Sequence, residues 1–436
     1  MTDADHPVLY PNAGEGDGPD ASDDPDGDDA APVSRRGLLG ATAAAGAVAT
    51  AGCASGDDAG TPGAVEGAPT VFVFNTGDGS VSVVDAETDE VVGTRAAGVT
   101  SSFPSNQFSP RLVDSPDEHL WINADRGVRA LAAGSLSEAA RVETGSGANW
   151  LERTPDGAHL LVSAREPAHT QYRVDADPDS ERFGEVTGEI DRTPEGGRGR
   201  NEGPGPCDVT VHPDGEVAYV PDLFGDTLTV IDVEDFEIAG QVEVSPAGSG
   251  PAAPWMGTAA WDGETLLVEH DEGATGTESI WDVSDPLEPR ERVRLTAEDG
   301  LGERPLTSEV GPDSETGYVF TPGSNDVTVL DLVVGEVRDR IDLGGSAFVG
   351  TWGPDRERLY VPVQTEDEVA VIDHAAGEVT ARLAVGPRPY GATAATVRPA
   401  ESGASESAQA LRRLAFRHGD SGTTYCLGNC ACGHRL

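Results

Sequence analysis

The chain has 436 residues, carries 77 acidic against 29 basic side chains, and has a formal net charge of −48 at pH 7. That charge argues against a nucleic-acid partner, and the apolar runs that recur along the chain argue against an acidic disordered protein. There is no lysine, so every basic side chain is an arginine, and so acidic a surface fits a halophilic protein working in high salt, where screening removes most self-repulsion.

Residues 1–33 are rich in Asp, Gly and Pro without an apolar period, and read as disorder. Ser34-Arg35-Arg36-Gly37-Leu38-Leu39-Gly40 follows, then an Ala- and Gly-rich run ending at Thr50-Ala51-Gly52-Cys53. The paired arginines and the short apolar run resemble a twin-arginine signal peptide, and Ala51-Gly52-Cys53 resembles a lipobox. The resemblance implies export, with Cys53 becoming the lipidated first residue of a lipoprotein; a soluble extracellular form cut nearby is the alternative. Residues 1–53 are therefore expected to be a disordered region plus signal, and 54–68 a flexible tether to the membrane.

The body of the chain is organised around the stretch 207–244. Runs of alternating apolar residues at 209–211, 217–220, 228–231 and 239–244 are separated by Pro213-Asp214-Gly215 and by the turns 222–226 and 234–236. Alternation punctuated by Gly, Asp and Pro predicts four half-buried antiparallel strands. Copies begin at Val71, Tyr318 and Leu359, and weaker copies at Trp121, Leu160 and Gln171. Asp85, Asp232, Asp282, Asp331 and Asp373 close successive third strands. The last four are spaced by roughly 40 to 50 residues, the period of four-stranded propeller blades. The count is seven blades.

Pro213-Asp214-Gly215, Ala218-Tyr219-Val220-Pro221, Thr229-Val230-Ile231-Asp232 and Leu359-Tyr360-Val361-Pro362 resemble the repeat of the YVTN β-propeller family. The resemblance implies an all-β, seven-bladed β-propeller over 69–398, of a kind found outside the cytoplasmic membrane. It is specific for fold and silent on activity. Blade one begins at its second strand, Val71 to Phe74, and the missing first strand is expected after the last blade, within Pro387 to Val397. A C-terminal strand completing blade one would close the ring and remove its open edge.

Arg192, Arg198 and Arg200 lie in a polar insertion before blade four, where they are candidates for an anionic ligand at a propeller mouth or, alternatively, pair with surrounding carboxylates. His159, His212, His270 and His374 do not share one blade position, and read as exposed turn histidines. The repeated aspartates read as turn acceptors. No haem, Walker or nucleophile-elbow motif is present, and no residue is assigned a catalytic role.

Residues 399–436 form a tail ending in Cys426, Cys430, Cys432 and His434. Thiolates and imidazole are ligands for copper or zinc. Cys426-x-x-x-Cys430-x-x-x-His434 resembles the thiolate loop of the binuclear copper site in cytochrome oxidase subunit II and nitrous oxide reductase, which implies copper. The alternative is disulfide bonding of Cys207 and the three tail cysteines in an oxidising compartment. The expected function is a binding or scaffold module on the extracytoplasmic face of the membrane, held there by its lipid anchor. A protein or small-molecule partner is expected at a mouth. The rival is a copper-dependent metalloenzyme or electron-transfer protein using the tail.

Overall fold

The computed structural model describes residues 63–99, 101, 104, 112–124, 126–164, 166–199 and 203–400, together with 410, 411 and 414. The strands group into seven antiparallel sheets, six of four strands and one of three, and the architecture is a seven-bladed β-propeller. The three-stranded sheet is blade two, at Trp121.

Closure follows the expected route. Pro389–Pro399 pairs antiparallel with Ala64–Asn75 and becomes the innermost strand of blade one. The pairing begins at Ala64↔Pro399, inside the stretch read as a tether. That side of Ala64–Asn75 thus faces a partner strand instead of an open edge, with irregularities between Glu66 and Thr70 and between Val73 and Asn75. Cys53, the arginine pair and the tail cysteines lie outside the described residues.

Each repeated local signal has a visible physical role. The aspartate of the Pro-Asp-Gly turn accepts an amide two residues on, as Asp214 does from Glu216 at 2.9 Å, and so does the aspartate of Pro354-Asp355-Arg356, from Glu357 at 3.0 Å. The aspartate after the third strand does the same, Asp85 from Glu87 at 3.0 Å and Asp331 from Val333 at 3.1 Å. These Asx turns hold the chain reversal that brings the next strand back into register. A one-residue bulge also recurs between third and fourth strands, at Val83/Val84, Val230/Ile231, Val329/Leu330 and Val371/Ile372. It adds local twist to the outermost pair.

At the hub, polar side chains on one innermost strand donate to the backbone of the next. Asn123 reaches the carbonyl of Ala148 at 3.3 Å, Thr210 that of Gly257 at 2.6 Å, Thr258 that of Ser308 at 2.9 Å, and Thr307 that of Phe348 at 2.7 Å. Asn149 likewise donates to the carbonyl of Cys207. Trp150, Val209, Trp255, Phe348 and Tyr390 share one buried cluster across these strands. The blades are thus sewn together by hydrogen bonds and packed apolar side chains at the same radius.

Candidate functional site

The tyrosine of the Tyr-Val repeat is the outer counterpart of the hub stitches. Tyr219, Tyr318 and Tyr360 sit at the same place on the second strands of blades four, six and seven, and all are buried. Each reaches a turn of the following blade. The Tyr219 hydroxyl donates to the carbonyl of Pro286 at 3.2 Å, Tyr318 pairs with His374 Nδ1 at 2.8 Å, and Tyr360 donates to Asp89 at 2.6 Å.

Blade three has Leu161 at the equivalent position, on the face that packs against blade four. A leucine is too short to reach the next turn, and at this junction lies a groove of about 610 Å³, lined by residues 154–156, His159 and Arg173 from blade three and by 214–216 and 232–234 from blade four, but not by Leu161 itself. Arg173 takes over the stitch: its Nη1 donates to the carbonyls of Val233, at 2.6 Å, and Glu234. Its guanidinium also lies over the Phe236 ring, 5.3 Å from the centroid. Gly188 is required beside it, since a Cβ there would run into the Phe236 ring. Blade five has Leu267 at the same position, but there Arg292 covers the Leu332 carbonyl at 3.0 Å, and Trp261 packs between the blades.

Asp156, Asp214, Glu216, Asp232 and Glu234 line the groove, with His159 and Arg173 as its basic side chains. Burial works against a charge on Asp156, but bonds from Thr154 Oγ1 at 2.6 Å and the Ala158 amide at 2.9 Å hold it below the usual carboxylate range. Burial and then the Arg173 charge push His159 down, so its imidazole is neutral at pH 7. Its Nδ1 is buried without a hydrogen-bond partner. A concave wall of five carboxylates around one guanidinium is suited to an organic cation.

The predicted arginines are elsewhere. Arg192 is fully buried and its Nη2 lies 2.9 Å from both Asp222 Oδ2 and Thr229 Oγ1, with Glu195 also paired to it. Burial opposes its charge, but Asp222 and Glu195 more than offset that and hold the guanidinium protonated. At Asp222 burial is the larger influence and pushes the carboxyl up despite Arg192. The two directions conflict; the 2.9 Å contact and the Thr227 and Thr229 hydroxyl donors favour an ionised pair. Arg198 pairs with Asp226 at 2.6 Å and donates to the Leu223 carbonyl at 2.7 Å. Both arginines therefore strap the insertion onto blade four. Arg200 lies outside the described residues.

The histidines differ from the exposed-turn expectation. His270 ends the second strand of blade five, fully buried, with Nδ1 3.2 Å from the Ala252 carbonyl and Nε2 2.7 Å from Ser279 Oγ. His212 is buried against the Gly263 carbonyl at 3.0 Å. His212 bridges blades four and five, whereas His270 is bonded within blade five; a turn-adjacent position in sequence reveals neither.

Cys207 is buried at the hub, with its Sγ near Asn149 and 3.9 Å from Met256 Sδ. Beside it Asp208 accepts the amides of Gly257 and Val209, both at 2.6 Å. Burial nevertheless drives Asp208 upward, and burial followed by the Asp208 charge does the same to Glu152. Cys426, Cys430, Cys432 and His434 lie outside the described residues. Among the described residues, no group of three or more His, Cys, Asp or Glu is placed to hold a metal ion.

No family model matches the chain, and no curated protein does. Solved structures do. The periplasmic gluconolactonase of Pseudomonas aeruginosa aligns with a TM-score of 0.58 at 17% identity, over 75% of this chain and 99% of that one. A Lactobacillus plantarum protein aligns at 0.60 and 14%, over 75% and 99%. A Bacteroides uniformis protein proposed to be a 6-phosphogluconolactonase aligns at 0.59 and 13%, over 76% and 100%. At these identities the likeness is one of fold. The chain is a seven-bladed β-propeller, and these solved neighbours share that fold with it.

Proposed function

We propose that this propeller is an exported binding module that takes a small amine- or guanidinium-bearing ligand in the groove between blades three and four. The observation that carries the reading is the groove itself, a preformed space in the size range of small-molecule sites, walled by carboxylates. It lies at a junction where blade three has Leu161 and three other blades place a tyrosine that reaches the next turn. The periplasmic setting of one solved neighbour and the resemblance of residues 34–53 to a twin-arginine lipoprotein signal support export, with Cys53 as the anchor. Copper or zinc at the Cys426, Cys430, Cys432 and His434 tail is part of the proposal and rests on the sequence alone.

Calorimetric titration of the full-length protein with spermidine and with arginine amide, over a series of salt concentrations, tests the reading. Wild type should bind with an affinity that weakens as salt rises. Leu161→Tyr should fill the groove and lose binding while keeping the fold. Equal binding by both proteins, or none by either, would remove the groove as the site. Hydrolysis of δ-gluconolactone by wild type would favour an enzymatic role instead.

A further inference from the structure

Blade five contains a pair of glutamates that neither the groove nor the inter-blade stitches use. Glu269 on the second strand stands directly opposite Glu278 on the third. Both are fully buried, and all four of their carboxylate oxygens lack a hydrogen-bond partner. From the first strand of blade six, Ser308 brings a third oxygen: its buried Oγ faces Glu269, outside hydrogen-bond geometry, and has no partner of its own. Two adjacent carboxylates and a hydroxyl, sealed from water and unpaired, are incomplete as they stand.

The surrounding charges do not complete them. Arg294 acts on Glu278 from the fourth strand but is bonded to Glu272 at 2.8 Å and to Glu291 at 2.8 and 3.0 Å. His270, next to Glu269, is taken up by Ala252 and Ser279, and burial holds it well below its usual range and hence neutral. Asp208 and Glu269 repel each other through the hub.

We propose that Glu269, Glu278 and Ser308 form an internal site for a hard divalent cation with the size and charge of calcium. Two ionised glutamates balance a double positive charge, and an all-oxygen donor set selects hard cations over zinc or copper. Two carboxylates can each bind through both oxygens in the flexible geometry that calcium accepts. Magnesium holds to octahedral coordination and keeps its waters, for which a site this closed is poorly suited. In the metal-free protein the pair keeps a proton: burial raises Glu269, and burial with the Glu269 charge raises Glu278 well above the usual range. Calcium would displace that proton, so binding and proton release are coupled.

The test uses full-length protein stripped with chelator, melted at pH 8 in constant KCl with and without millimolar calcium or magnesium. Calcium should raise the melting temperature of wild type by several degrees, magnesium by less, and lightly buffered protein should release protons on calcium addition. Glu278→Gln should lose the calcium response and, without metal, melt above wild type at pH 8. Ser308→Ala keeps both carboxylates, and should weaken calcium binding about tenfold; it decides the matter if Glu278→Gln does not fold. No calcium-dependent shift in wild type would overturn the proposal. So would a shift that persists unchanged in both variants, since that would be ion binding to the acidic surface.

Discussion

Tyr360 of blade seven donates its hydroxyl to Asp89 of blade one at 2.6 Å, and Arg358 grips the other oxygen of the same carboxylate at 2.7 Å. The contact spans 271 residues of sequence and lies at the seam where the ring closes. It complements the pairing of Pro389–Pro399 with Ala64–Asn75: one closes the inner radius, the other the outer.

Tyr360→Phe should therefore cost about 1–2 kcal/mol, the loss of one charge-assisted hydrogen bond, with the ring still packed. Asp89→Ala should cost more, because it also leaves Arg358 without this partner. Equilibrium denaturation of the two variants and of the double variant separates the terms, and Tyr360→Phe should cost little in the Asp89→Ala background.

The buried Arg192–Asp222 pair should be far more sensitive. Arg192→Met leaves Asp222 buried beside two hydroxyl donors without its cation, a change expected to cost about 3–5 kcal/mol. Adding Asp222→Asn should recover a large part of that loss. Chemical denaturation of the single and double variants is the measurement, and an exposed ligand-binding arginine would give almost no loss.

Stability should depend on pH through the buried hub groups. Glu152 and Asp208 hold their protons more tightly folded than unfolded. Their contribution is complete below the unfolded values of about 4 and is lost as pH rises through the raised ones. His270 acts in the opposite sense: burial keeps it neutral, so stability drops as pH falls below about 6.5, where the unfolded chain takes up the proton. Above pH 6.5 only the carboxylate trend remains. Through these carboxyls melting temperature should fall as pH rises above the range where His270 acts, and Asp208→Asn should flatten that fall.

The tail has a direct test. Elemental analysis and a visible spectrum of full-length protein beside Cys430→Ser should show about one or two copper or zinc ions in the first and loss of them in the second. Metal-free wild type with paired thiols by mass spectrometry would assign the tail to disulfides.

Leu161→Tyr carries a structural expectation besides loss of binding. In an Arg173→Ala background, where the Val233 carbonyl has lost its donor, the new hydroxyl should restore part of the lost stability, because tyrosine at that position stitches three other junctions.

What the sequence by itself determined is what repeats within short stretches. The alternation around Val217, Val319 and Val361, the turn aspartates and the absent first strand of blade one state the blade count and the closure, because strand period and turn chemistry are local. The tyrosines were visible as a repeat, and Leu161 could have been noticed by aligning the copies, but the meaning of the exchange lies across a blade junction. Only the tertiary structure decided that a groove lies at that junction, that Arg192 is buried against Asp222, and that Glu269 meets Glu278 and Ser308. Those relations depend on which side chains face each other between neighbouring strands and blades. An arginine or glutamate has the same appearance in a sequence whether its charge meets water, a partner or nothing; burial and geometry make that difference.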